Sequence, residues 1–230
     1  MSENTLEAFT SAHRAGVHWM ETDVHASADG ILFAAHDADL DRIAGRPHSI
    51  RDLKAAELDS IELLAGGHLP RLTTLFESLP EAAWNIDVKA PHSIAPMIRT
   101  IRGTHSEDRL RLASFSSSTL RRLREALPGV RTSTGVQESA LFAAGSLPGV
   151  APAGPCPLPV GLDALQVPMS FKGLPVVTAG FVSRAHEVGL LVHVWTINDA
   201  ASMRQLLSLG VDGIVTDDVP KGLDELAAWT

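Results

Sequence analysis

One cysteine, Cys156, is all the chain carries, so no disulfide can form within it, and a fold that holds without one suits a reducing compartment. Positive charge is scarce as well. Against 27 Asp and Glu stand 19 Lys and Arg, a formal charge of -8, whereas a nucleic-acid surface needs a basic stripe. Arg121, Arg122 and Arg124 read instead as the solvated face of a helix. The N-terminus lacks the basic start and apolar run of a secretory leader, and a cytoplasmic location is the expectation. The stretch Ser139 to Leu162 is uncharged and long enough to cross a bilayer. Pro148, Pro152, Pro155, Pro157 and Pro159 would break a helix there repeatedly, so it reads as a Pro/Gly-rich loop and no membrane span is expected. Missing, finally, is any fixed-period repeat; what recurs is strand followed by helix.

With 230 residues and 45% hydrophobic content the chain can bury one large core, and a single domain over 1–230 is expected. Its most informative stretch is Met20 to Asp37. Side chains alternate along a strand, so Glu21 and Asp23 point to one side while Met20, Thr22 and Val24 point to the other. Two carboxylates sharing a small space repel unless a cation lies between them, and paired hard oxygens suit Ca²⁺ or Mg²⁺. Ala28-Asp29-Gly30 reads as a tight turn, and Ile31 to Ala35 as a buried strand that delivers His36 and Asp37 at its end.

The E-x-D pair, the short hairpin and the H-D that follows resemble the glycerophosphodiester phosphodiesterases. Further blocks fall in that family's order: Glu3 to Phe9 is similar to its "PENTLEAF", Asn85-Ile86-Asp87-Val88-Lys89 to its third ligand strand, Val194 to Asn198 to its "VWTVN", and Gly210 to Asp217 to its "GVDGIITD". The resemblance spans most of the chain.

Helices are predicted over residues 6–15 with Gly16 as stop, 49–58, 72–79, 94–101, 118–127, 178–188, 200–209 and from Lys221. Strands are predicted over 19–24, 84–88, 110–115, 130–134, 165–168, 191–196 and 213–216. That alternation implies a parallel sheet with helical crossovers. Together with the resemblance it implies an α/β fold, a (β/α)8 TIM-type barrel, with its active site at the carboxyl ends of the strands.

The resemblance also implies roles. Glu21, Asp23 and Asp87 would bind one divalent cation, Ca²⁺ or Mg²⁺, and His36 would be the general acid/base. Lys89 would meet a phosphate oxygen, and Trp195 would wall the pocket around the alcohol of a glycerophosphodiester substrate. The bland alternatives are solvated strand carboxylates, a packed histidine, a surface lysine and a core tryptophan. His25, His193 and Asp212 are structural or supporting candidates. The third ligand is aspartate where many members have glutamate, a pattern also similar to sphingomyelinase D enzymes. In the family a His-Arg pair stands on the first strand, ahead of "PENT". Here His13-Arg14 follows that block at helical spacing, so it is not equated with the pair, and a missing first strand is expected, with impaired activity. Two other functions stay open: a barrel fragment that binds a metal and a phosphodiester without turnover, and a lyase that forms a cyclic phosphate.

Overall fold

The computed structural model describes residues 3–146 and 159–229. They form two compact units, Met1–Val130 and Arg131–Thr230.

In the first unit Thr5 begins helix α1 (Leu6–Arg14): its side-chain oxygen accepts the Ala8 N–H at 3.2 Å, which satisfies one of the open donors of the first turn. Strand β1 (Trp19–Ala26) turns through Ala28-Asp29-Gly30 into β2 (Leu32–Ala34), which pairs with it antiparallel. The turn is tied by Ser27, whose hydroxyl donates to Asp29 and accepts the Ile31 N–H. There follow β3 (Asp39–Leu40), α2 (Asp41–Ala44), β4 (Arg46–Ser49), α3 (Ala55–Asp59), α4 (Leu72–Ser78), β5 (Ala83–Val88), α5 (Ile94–Thr104), β6 (Leu110–Ala113) and α6 (Ser117–Ala126). Strands β1, β5 and β6 are parallel neighbours, with Asp23 opposite Asp87 and Asp87 opposite Ala113.

Alternation sorts this sheet into two chemically different faces. Even-numbered side chains, Met20, Val24, Trp84, Ile86, Val88, Leu110 and Leu112, pack with Phe9 of α1, Leu75 and Phe76 of α4 and Met97 and Ile101 of α5. Odd-numbered positions carry Trp19, Glu21, Asp23 and His25 on β1, Asn85 and Asp87 on β5, and Arg111 on β6. Every charged residue of these strands therefore lies on the face away from the helices.

The segment 39–70 departs from expectation. The single helix predicted over 49–58 is instead a strand end, a one-turn 3-10 helix at Ile50–Asp52 and the short α3. Lys54 is extended, and its N–H is held at 2.8 Å by the Glu57 carboxylate, which restarts the helix there. Leu40, Ile50, Leu58, Ile61, Leu63 and Leu69 close a small core of their own over Phe33 and Ala35.

The second unit holds β7 (Arg131–Ser133), α7 (Val136–Gly145), β8 (Leu162–Pro168), the hairpin β9 (Ser170–Phe171) and β10 (Leu174–Pro175), α8 (Ala179–Glu187), β11 (Leu191–Trp195), α9 (Ala200–Ser208), β12 (Gly213–Ile214) and α10 (Val219–Trp229). Strands β7, β8, β11 and β12 pair in parallel in that order. Helix α7 corrects the loop expected from Ser139: the prolines that argue against a helix begin only at Pro148, and the Glu138 carboxylate accepts the Gly135 N–H at 2.8 Å to start one upstream. Residues 147–158 of that loop, with Cys156, lie outside the described residues, and its last residues lead into β8 at Leu162. No helix among the described residues is long and apolar enough to cross a membrane.

Ile86 is wholly buried on the helix side of β5. Ile86→Ala is expected to lower stability by about 2–5 kcal/mol, read as a fall in the urea midpoint with an unchanged slope. A loss within experimental error would mean that the β5 core face is not close-packed.

Candidate active site

Asp23 and Asp87 are register partners at the carboxyl ends of β1 and β5, both more than 90% buried. One residue beyond β5, Lys89 reaches back to both: its Nζ is 2.8 Å from Asp23 Oδ1 and 3.1 Å from Asp87 Oδ2. The ammonium also lies 5.4 Å from the centre of the exposed Phe115 ring, just past β6.

One ammonium against two carboxylates leaves this buried cluster one negative charge in excess. Burial pushes both aspartates above the usual carboxylate range, against the pull of Lys89. For Lys89 burial acts the other way, but its contacts with Asp23 and Asp87 outweigh it and hold the ammonium above the usual lysine range. Asp87 Oδ1 is buried and has no hydrogen-bond partner among the described residues. A buried carboxylate oxygen left unmatched in an under-neutralised pair fits a hard cation, so the donor chemistry of Asp23 and Asp87 suits a divalent ion.

Glu21 lies one layer toward the amino end of the strands, opposite Asn85 and exposed. Among the described residues, no three His, Cys, Asp or Glu side chains are grouped closely enough to hold an ion. The structure therefore unites Asp23, Asp87 and Lys89, with Glu21 on the same face of β1. Trp195 ends β11 in the second unit, in register with Pro168.

His36 follows β2 and is open to solvent, its side chain 59% exposed. Its Nδ1 is 2.8 Å from Asp37 Oδ1, and its backbone carbonyl accepts a 3.3 Å hydrogen bond from His25 Nε2. Burial lowers the His25 pKa, with the bond to His36 opposing it. His25 thus serves as a buried support under the His36 backbone. His13, by contrast, ends α1 with its ring against His18, ahead of the amino end of β1.

Three contributors were not singled out from the sequence. Arg111 is buried on β6 opposite Asn85, its guanidinium 4.7 Å from the centre of the Trp19 ring. The alternation Leu110-Arg111-Leu112 already placed it on the charged face. Glu3 and Arg42 form a bidentate pair, at 3.0 and 2.6 Å, that also reaches Asp37. No periodicity links residues 39 positions apart, so nothing in the sequence revealed it.

The raised Asp87 pKa has a consequence for stability. A carboxyl raised in the folded state contributes stability fully below its unfolded pKa, ~3.9, and loses that contribution as the pH climbs through the folded value. At neutral pH Asp87 therefore costs stability. Asp87→Asn is expected to raise the thermal midpoint at neutral pH, with the gain fading as the pH falls through the folded value and gone by about pH 4. A lower midpoint at neutral pH would show that Lys89 neutralises both carboxylates unaided.

Comparison with known proteins adds the following. A model described as "Glycerophosphoryl diester phosphodiesterase family" matches residues 1–221. The "Probable glycerophosphodiester phosphodiesterase 2" of Mycobacterium tuberculosis is 33% identical over 216 residues, which cover 93% of this chain and 81% of the relative. A solved glycerophosphodiester phosphodiesterase from Thermotoga maritima superposes with a TM-score of 0.75 at 26% identity, covering 99% of this chain and 92% of the other. A phosphodiesterase from Oleispira antarctica, solved in complex with the product sn-glycerol-3-phosphate, gives a TM-score of 0.78 at 22% identity, with 98% and 91% covered. The fold class is accordingly α/β, of the (β/α)8 barrel type expected. The expectation of a missing first strand gains nothing from these matches, since the family match begins at residue 1.

Proposed function

The chain belongs to the glycerophosphoryl diester phosphodiesterase family, a family of phosphoric diester hydrolases, and from that premise we propose that it hydrolyses glycerophosphodiesters to glycerol 3-phosphate and an alcohol, aided by one divalent cation. In this reaction a water oxygen bonds to phosphorus, the bond from phosphorus to the alcohol oxygen breaks, and a proton ends on the departing alcohol. The observation that carries the reading is the Asp23–Lys89–Asp87 cluster, whose excess negative charge and unpartnered Asp87 oxygen suit a cation beside a phosphate. That the Oleispira antarctica relative is in complex with sn-glycerol-3-phosphate supports the choice of product.

Asp23 and Asp87 would hold Ca²⁺ or Mg²⁺; Glu21, on the same face of β1 but not grouped with them closely enough here to share an ion, is the third ligand that the family resemblance implies. When bound, such an ion polarises phosphate oxygens and offsets the charge that develops in phosphoryl transfer. Lys89 meets a phosphate oxygen as a point charge. His36 moves a proton between water and the leaving oxygen.

Purified chain incubated with glycerophosphocholine is expected to release glycerol 3-phosphate, to stop on chelation and to recover with added Ca²⁺ or Mg²⁺. His36→Ala should lower kcat by about 10²- to 10⁴-fold. Asp87→Ala should weaken cation binding measured by calorimetry, independent of turnover. Full activity in chelator would refute the cation's role, and unchanged turnover in His36→Ala would remove the histidine from the chemistry.

A further inference from the structure

We propose that Asp37, Arg42 and Glu3 form a positioning relay that holds His36 as its Nδ1–H tautomer, making Nε2 the nitrogen at which the proton is taken and returned. The inference rests on the reading of His36 as the acid/base group.

The chemistry of the contacts sets the direction of each hydrogen bond. A carboxylate only accepts, so the 2.8 Å approach of His36 Nδ1 to Asp37 Oδ1 requires the proton on Nδ1. The other Asp37 oxygen accepts from Arg42 Nε at 2.5 Å. The two terminal nitrogens of Arg42 donate to the two Glu3 oxygens at 3.0 and 2.6 Å. One planar guanidinium is thus fixed by three contacts from two carboxylates, a geometry that an ammonium cannot reproduce.

Such a relay is needed because, among the described residues, no other hydrogen bond or ion pair aligns the ring. The His36 side chain is more than half exposed at a strand end, so core packing does not choose its rotamer. His25 supports only its backbone carbonyl. Asp37 stays ionised because its contacts with His36 and Arg42 hold its carboxyl below the usual range, and Arg42 does the same for Glu3. The relay joins three separate pieces of chain: Glu3 just ahead of α1, Asp37 after β2 and Arg42 in α2. This arrangement of acid/base group, orienting carboxylate and cation follows the logic by which a histidine is held in one tautomer for proton transfer.

The test is long-range proton–nitrogen correlation on protein labelled with ¹⁵N in its histidine rings, with His36→Gln assigning the signal. The unaltered chain should show His36 as Nδ1–H, and Asp37→Ala should convert it toward Nε2–H. In the same variant kcat should fall about 10²-fold, the low end of what one positioned acid/base group contributes, with KM little changed. Arg42→Ala should give a smaller fall in the same direction, and Arg42→Lys should recover only part of it. All four residues are on the surface, and circular dichroism checks that each variant folds. His36 found as Nε2–H in the unaltered chain, or an unchanged kcat in Asp37→Ala, would overturn the relay. A chain without turnover in which His36 is still Nδ1–H, and is released by Asp37→Ala, would refute the hydrolase reading while the positioning stood.

Discussion

One lysine facing two buried carboxylates is the interaction on which the rest of the first unit depends. Lys89 can reach both because β1 and β5 are in a register that sets Asp23 beside Asp87. That register is fixed by the opposite face, where Val24, Ile86 and Val88 pack in the core. A slip of one residue would send the aspartates into the core and the apolar side chains into the site. The hydrophobic face thus sets the geometry of the charged one, and the charged one returns strain: a pair held together with one charge too few to neutralise it.

Much of this was legible in the sequence because it depends on local spacing. Period-two alternation placed Glu21 with Asp23 on a shared face, the same parity relates Asp87 to Lys89, and the helix and strand boundaries through β5, α5, β6 and α6 lie within a few residues of expectation. Thr5 and Gly16 delimit α1 as cap and stop, Gly16 with a φ of 105° that other residues rarely adopt.

What stayed hidden depends on distance through space. Segment 39–70 is polar and punctuated by glycines, so its folding around a separate small core left no periodic mark. The contact of Glu3 with Arg42 belongs to the same class. So does the layer difference that leaves Glu21 exposed while Asp23, two residues on, is buried. Parity says which face a side chain takes, but not how deep along the strands its partners lie.

The small core over Phe33 and Ala35 is separate from the one that backs the sheet. His36 stands directly after that seam, and Arg42, which reaches Asp37, belongs to the segment the small core secures. A fluctuation that opens residues 39–70 can therefore loosen the histidine without disturbing the paired aspartates. The two halves of the candidate site thus rest on different supports: the paired aspartates on the main core behind the sheet, and the segment carrying His36 and Arg42 on one small surface fold.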